Sequence, residues 1–319
     1  MRSGEAGACP IDPGVPVPRN RTSYRLGAPV SRSERETMPA TAAELLAAVE
    51  RSPQAVAVHD RAAWVGLFTA DARVEDPVGS RPAVGRSAIG RFYDTFIAPN
   101  TIAFEVEHDI VCGATVYRDL AIETSMSTGV TETSMSTGVT ETSMSTGVTL
   151  RVPMHLRYDL AEVDGRPRIR ELHAHWELPV MVAQLLAAGT PGLTAATKLV
   201  PQLLGNQGVG GALGFARGFA RVGASGKRAA TGLLRAAGRG DGAAVRIALA
   251  PHAELRWGAT PIGVEGLLSR SPGLRVAKPI AAGRFVTATV TTPSVRGIAE
   301  IEMARGGKQA TAVRVFVGD

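Results

Sequence analysis

The chain has 319 residues, of which 45% are apolar, 20% charged and 5% aromatic. This length suits two folded domains, and the composition is that of a globular protein, which excludes fibrous and wholly disordered classes. The two cysteines, Cys9 and Cys112, are too few for a disulfide framework, so we expect a reducing, cytoplasmic location.

The formal charge of +6 is concentrated in one stretch of the chain. Between Glu177 and Asp241 no residue is acidic and seven are basic: Lys198, Arg217, Arg221, Lys227, Arg228, Arg235 and Arg239. No helix-turn-helix pattern, zinc-finger spacing or interleaved aromatic residues accompany these charges, so we expect no nucleic-acid partner. Peripheral membrane contact through residues 181–225 is an open alternative, whereas no apolar run is long enough to cross a bilayer.

Residues 1–37 are rich in Pro, Arg, Ser and Gly and show no apolar periodicity, which predicts a disordered arm. Thr41 followed by Glu44 predicts a capping box at the start of a helix. From there the pattern predicts two helices, a strand, a further helix and a run of antiparallel strands. These elements make up a first domain over residues 38–180.

Period-two alternation marks the later strands of this domain. In the strand predicted around residues 150–158, the side chains of one face are apolar: Leu150, Val152, Met154, Leu156 and Tyr158. His155, His173 and His175 point to the opposite face of strands that we expect to be neighbours. The face that carries the histidines is therefore either exposed to solvent or covered by a partner. A covered face predicts a homodimer or an intrachain domain pairing. A zinc site made by the three histidines is the alternative, but we predict no metal.

A nine-residue sequence, Glu-Thr-Ser-Met-Ser-Thr-Gly-Val-Thr, occurs three times in tandem over residues 123–149. Two extra copies add eighteen residues, an even number, so the strand that follows keeps its inward and outward faces. We interpret the repeat as a long hairpin or mobile loop produced by duplication. A functional β-repeat that binds a ligand is the alternative.

The remainder of the chain predicts a linker and a second, degenerate domain. Residues 181–225 are rich in Gly and Ala with helical apolar spacing, which indicates a basic helical linker. Residues 226–319 resemble the first domain, because the segment from Asp60 to Asp76 aligns without gaps with the segment from Asp241 to Trp257. Trp257 falls where Asp76 stands, so the second domain cannot repeat what Asp76 does.

Asp76 is the residue most suggestive of chemistry. On a strand it points the same way as Ala72 and Val74, which places a carboxylate on an apolar face. Burial disfavours the charged form and raises the pKa of the carboxyl group toward neutral pH, as a general base requires. The alternative is a structural aspartate that caps a turn by accepting the amide of Gly79 or Ser80.

The string Val-Glu-Asp-Pro-Val-Gly-Ser at residues 74–80, with Phe92 and Tyr93 on the next helix, closely resembles the steroid delta-isomerases. These belong to the ketosteroid isomerase and SnoaL-like branch of the nuclear transport factor 2 superfamily. The resemblance implies an α+β fold, a cone-shaped curved antiparallel sheet packed with helices, in two tandem copies. It also implies that Asp76 moves a proton between carbons of a 3-oxo steroid, with Tyr93 and Trp176 beside it.

Two positions depart from the family. Its oxyanion tyrosine aligns with Ser52, and its protonated acid aligns with Met154, so both hydrogen-bond donors are missing. We therefore leave open whether the protein is an isomerase-like enzyme or a non-catalytic small-molecule-binding or scaffolding protein of the same fold.

The predicted ligand is a hydrophobic steroid- or polyketide-type carbonyl compound, and we expect no cofactor. Asp76 and Tyr93 are the predicted catalytic residues. The side chains predicted to line the pocket are Val74, Phe92, Phe96, Met154, Leu156 and Trp176.

Overall fold

The computed structural model of the chain describes residues 40–126, 133–136, 139–142, 148–190, 214 and 217–318. The chain from Pro39 to Asp319 forms one compact unit. The predicted disordered arm lies outside the described residues, and so does most of the predicted linker. In the described part of the chain, no helix is both long enough and apolar enough to cross a membrane.

The first copy of the fold begins with two helices, has a third after its second strand and ends with a fourth. The helices are α1 (Ala42–Ala57), α2 (Arg61–Gly66), α3 (Gly85–Phe96) and α4 (Leu178–Ala187). Its sheet contains β1 (Phe68–Glu75), β2 (Ala83–Val84), β3 (Asn100–Cys112), β4 (Thr115–Met126), β7 (Val148–Val163) and β8 (Arg166–His175). The strand order is β2-β1-β8-β7-β4-β3, in which β1 pairs with β8 in parallel and all other neighbours are antiparallel.

The second copy repeats this arrangement, with a shorter third helix and shorter strands after it. Its helices are α5 (Gly223–Gly238), α6 (Gly242–Ala248) and α7 (Val264–Arg270). Its strands are β9 (Leu249–Trp257), β10 (Thr260–Pro261), β11 (Arg275–Ala282), β12 (Phe285–Thr291), β13 (Arg296–Met303) and β14 (Ala310–Val317). The order β10-β9-β14-β13-β12-β11 matches that of the first sheet, again with one parallel pair, β9 and β14. The prediction of two tandem α+β copies is confirmed.

Helix starts show how the sequence produces these elements. The predicted capping box is present: the Thr41 hydroxyl accepts from the Glu44 amide at 3.3 Å, and the Thr41 amide donates to the Glu44 carboxylate at 2.8 Å. Asp60 caps α2 by accepting the amide three residues later at 2.8 Å, and Asp241 caps α6 in the same way at 2.9 Å. The two copies therefore use the same local signal at the same place.

The two faces of the first sheet have different neighbours. Its apolar face packs against the helices around a core that includes Phe68, Leu120 and Ile169. The opposite face is covered by the second copy, where His155 contacts Thr287 at 2.8 Å. The predicted intrachain pairing is thus observed, while a homodimer stays a prediction.

The nine-residue repeat extends two strands and forms a small hairpin. Strand β4 ends in the first copy of the repeat and β7 begins in the third, with Glu123 opposite Arg151 and Met126 opposite Val148 in an unbroken register. Between them β5 (Thr133–Ser136) pairs with β6 (Val139–Thr142) in antiparallel fashion. The other residues of the repeat lie outside the described part of the chain. The unbroken register agrees with the expected conservation of strand parity.

Candidate functional site

A cavity with two adjoining chambers lies inside the first copy, between the helices and the apolar face of the sheet. The empty volume, counted with the adjoining open space, is about 670 Å³ for the outer chamber and about 550 Å³ for the inner chamber. Residues that line both chambers form the boundary between them: Asp76, Phe92, Phe96, Ile102, Ile122 and Met154. Asp76 therefore borders both chambers.

Asp76 directly follows β1, at a cis peptide bond to Pro77. The residue is half-buried overall, and its carboxylate faces the apolar cavity, where the indole nitrogen of Trp176 donates a hydrogen bond to Oδ1 at 2.5 Å. Burial raises the pKa of Asp76 to about 6, and the hydrogen bond from Trp176 opposes that rise. The group is therefore ionised at neutral pH and basic enough to accept a proton.

The turn after Asp76 does not use the Asp76 carboxylate as its cap. The Gly79 amide donates to the Glu75 carboxylate at 2.8 Å, and the Ser80 amide donates to the Pro77 carbonyl at 3.0 Å. The alternative interpretation, in which Asp76 accepts one of these amides, is therefore wrong. Glu75 performs the structural role because its side chain points away from the cavity, as alternation along β1 requires.

Six side chains that we predicted to line the pocket do lie in its wall. Phe92, Phe96, Met154 and Trp176 line the outer chamber, and Val74 and Leu156 line the inner one. They come from β1, α3, β7 and from the residue after β8, so four separate segments of the chain converge on Asp76.

Tyr93 is placed differently from the other predicted site residues. It does not line either chamber, but packs against Trp64 with ring centroids 5.5 Å apart. Its hydroxyl is buried and has no hydrogen-bond partner within the described ranges. Trp64 lies between Tyr93 and the position of Ser52, because the Trp64 indole donates to the Ser52 hydroxyl at 3.0 Å. The geometry therefore does not bring Tyr93 to Asp76, and its catalytic role stays a prediction.

Tyr158 is the functional candidate that the sequence analysis did not single out. It is buried in the wall of the inner chamber, where its hydroxyl interacts with the Ser52 side chain. Burial raises the pKa of Tyr158 to about 12, against the opposing effects of Arg118 and Ser52, so the phenol stays protonated and able to donate at neutral pH. The signal in the sequence that could have identified it is a polar atom on an otherwise apolar strand face.

The mouth of the cavity is predominantly apolar. Met181 of α4 lines the outer chamber together with Asn100 and Thr124. The Asn100 side-chain amide is already used, because it donates to the Phe96 carbonyl at 2.8 Å. Asp76 is the acidic side chain in a wall that is otherwise mainly apolar, and Ser52 and Tyr158 add hydroxyl groups in the inner chamber.

The three outward-facing histidines do not form a metal site. His155 is held by the hydroxyls of Thr287 and Thr289, at 2.8 and 3.1 Å. Among the described residues, the group whose ligating atoms come within 4.8 Å of one another is Asp159, Glu171 and His173. The Arg157 guanidinium group lies 2.8 Å from the Asp159 carboxylate, so this carboxylate already has a cationic partner. The alternative of a three-histidine zinc site is wrong.

Comparison with protein families identifies the first copy. The family model described as "Nuclear transport factor 2 (NTF2) domain" matches residues 44–157. We call this matched part of the chain the NTF2 domain. The match covers α1 through most of β7, which includes Asp76, and thus contains most of the cavity. No curated protein matches the chain.

Solved structures similar to the NTF2 domain include three with related descriptions. The Delta 5-3-ketosteroid isomerase from a Mycobacterium species has 23% identity, covers 43% of this chain and 95% of its own, and has a TM-score of 0.34. RV0760c from Mycobacterium tuberculosis, in complex with estradiol-17beta-hemisuccinate, has the same identity, coverage and TM-score. A LEH-like epoxide hydrolase from Mycobacterium tuberculosis has 17% identity, covers 50% of this chain and 97% of its own, and has a TM-score of 0.35.

Proposed function

We propose that the NTF2 domain binds a hydrophobic steroid- or polyketide-type carbonyl compound and that Asp76 acts on it as a general base. The observation that carries this proposal is a carboxylate facing an apolar cavity, with its pKa raised to about 6 by burial. Concave, mostly apolar sites with a few convergent polar groups are typical of small-molecule binding. A base with a pKa near the working pH is suited to accepting and returning a proton.

The proposed reaction is an intramolecular proton transfer. Asp76 takes a proton from the carbon next to a carbonyl group, and the electrons move onto the carbonyl oxygen. Asp76 then returns the proton to another carbon, which restores the carboxylate and gives an isomer. The hydrogen bond from Trp176 holds the carboxylate in one orientation during both steps.

The negative charge on the carbonyl oxygen requires a hydrogen-bond donor, and Tyr158 is the candidate for this role. It lines the same inner chamber as Asp76, and its high pKa keeps its proton in place. Ser52 stands where the family has its tyrosine, and its hydroxyl already accepts a hydrogen bond from the Trp64 indole. Removal of one such donor costs about 100 to 1,000-fold in rate in enzymes that stabilise an oxyanion.

A non-catalytic binding protein is the second candidate function. It is favoured by the replacement of both family donors, by Ser52 and by Met154, and by Trp257 at the position of Asp76 in the second copy. In this case the Asp76 carboxylate binds a hydroxyl or amine of the ligand.

The two candidates are separated by turnover of 5-androstene-3,17-dione, measured as the appearance of the conjugated ketone by absorbance. Catalysis predicts turnover that rises as pH increases through about 6 and then levels off, because the base form of Asp76 is the active one. Asp76→Asn should abolish turnover and leave binding, measured by tryptophan fluorescence, in place. Binding without turnover supports the second candidate, and absence of binding to steroid and polyketide ketones contradicts both.

A further inference from the structure

Three glycines from outside the NTF2 domain contact the turn that carries Asp76. We call residues 76–81 the Asp76 turn. The contacting residues are Gly214 and Gly218, from the segment before α5, and Gly283, from the turn between β11 and β12 of the second copy. All three belong to the C-terminal half, by which we mean the described residues from 214 onward.

The closest of these contacts joins Gly79 and Gly283. A Cβ atom on Gly79 would lie 2.6 Å from the Gly283 Cα, and one on Gly283 would lie 2.8 Å from the Gly79 Cα. Both distances are shorter than real side chains tolerate, so the two backbones touch directly. Gly283 is itself fixed, since its carbonyl accepts the Val222 amide at 3.0 Å. Any side chain at position 283 must push the Asp76 turn away.

The other two glycines hold the rest of the turn. A Cβ atom on Gly218 would lie 2.9 Å from Cγ of Pro77, the residue that follows Asp76. The Gly214 carbonyl accepts the Arg81 amide at 3.0 Å, at the far end of the turn. The Asp76 turn is therefore contacted at both ends and in the middle by the C-terminal half.

Trp176, the hydrogen-bond partner of Asp76, is held from the same side. The next residue, Glu177, pairs with Arg221 at 3.1 Å and with Lys227 at 2.8 Å. The preceding residue, His175, contacts the ring of Phe285 edge-on, with centroids 6.0 Å apart. Both chain neighbours of Trp176 thus have partners in the C-terminal half.

We infer that the C-terminal half, whose second copy lacks an acid of its own at this position, serves as a positioning element for the Asp76–Trp176 pair. The inference rests on the proposed function only where it gives the Asp76–Trp176 pair a role toward a ligand. Its structural content is that the hydrogen bond between Trp176 and Asp76 depends on contacts made by Gly218 and Gly283.

Gly283→Ala tests this inference in the ligand-free protein. The readout is the indole N–H resonance of Trp176, assigned with Trp176→Phe, because a hydrogen bond to a carboxylate moves it downfield. We expect Gly283→Ala to move the resonance upfield, toward its position in Asp76→Ala. Gly113→Ala is the matched control, since Gly113 has a φ of 55° against 53° for Gly283 but no atom within 4 Å of its Cβ position.

Gly218→Ala provides a second variant if Gly283→Ala does not fold. The inference is overturned if folded Gly283→Ala or Gly218→Ala shows the wild-type Trp176 resonance, or if Gly113→Ala shifts it equally. Because no ligand or turnover is involved, this result is independent of the steroid assay. A Trp176 resonance that does not move in Gly283→Ala would refute the positioning role. Turnover that is unchanged in Asp76→Asn would refute the proposed function.

Discussion

The Lys278 ammonium group of the second copy lies 2.6 Å from the carboxylate of Asp119 in the first, where the Asp119 side chain is 1% exposed. Arg296 lies 3.2 Å from the same carboxylate, and the Thr289 hydroxyl donates to it at 2.7 Å. Burial alone would raise the pKa of Asp119, but hydrogen bonds from His155 and Lys278 hold it well below its usual value. The interface between the copies therefore contains a charged and fully partnered carboxylate.

Asp119→Ala should strongly destabilise the protein, because it leaves Lys278 and Arg296 without their buried partner. Breaking a buried ion pair on one side costs about 3–5 kcal/mol. Glu105→Ala is the control, since Glu105 and Arg151 form an exposed pair with 43% and 55% of their side chains accessible, for which about 0–1 kcal/mol is expected. Urea unfolding at pH 7 measures both. Equal losses would show that the interface charge contributes no more than a surface pair.

The difference in stability between wild type and Asp76→Asn should depend on pH in a defined direction. The pKa of Asp76 is about 6 when folded, against 3.8 for an ordinary aspartate, so the folded protein binds a proton more tightly than the unfolded one. The stability that Asp76 contributes is therefore lost as pH rises from about 4 to 6, up to about 3 kcal/mol. Asp76→Asn, which carries no charge, should be more stable than wild type at pH 7 by up to this amount.

The same variant should lose its advantage in acid. Below about pH 4 the aspartate is protonated in both states, and the free energies of unfolding of the two proteins should converge. Thermal unfolding at several pH values checks this. A difference that stays constant with pH would mean that Asp76 is solvated rather than buried.

Tyr158→Phe and Tyr93→Phe should have opposite consequences. Tyr158→Phe removes a buried hydroxyl that interacts with Ser52, so we expect a loss of about 1 kcal/mol in stability and, under the catalytic proposal, about 100 to 1,000-fold in turnover. The Tyr93 hydroxyl is buried with no partner in the described part of the chain, so its removal should leave stability unchanged or higher. Steroid turnover and urea unfolding measure both. Loss of turnover in Tyr93→Phe alone would restore Tyr93 as the donor.

Much of the fold could be predicted because local signals agree with the final structure. The capping box at Thr41 and the aspartates before α2 and α6 each mark the first turn of a helix. Alternation along β7 separates the apolar face from the face that carries His155. Strand β11 contains Pro279, which has no backbone N–H to donate. Proline is tolerated there since β11 is at the edge of its sheet.

The site was predicted less completely, since it depends on contacts between distant segments. Six pocket residues follow from strand and helix periodicity together with the family resemblance. Tyr93 could not be placed, because its position depends on Trp64, which fills the space between α2 and α3 and takes Ser52 as its acceptor. The contact between Gly79 and Gly283 joins positions about two hundred residues apart and leaves no local pattern.

The fusion of two copies into one chain changes how they can evolve. In a symmetric dimer each substitution occurs in both subunits, so a tryptophan at the acid's position would remove every active centre. Here Trp257 and Asp76 belong to one polypeptide, and their halves meet at a high effective concentration that dilution does not reduce. One half was therefore free to become a support while the other kept its carboxylate.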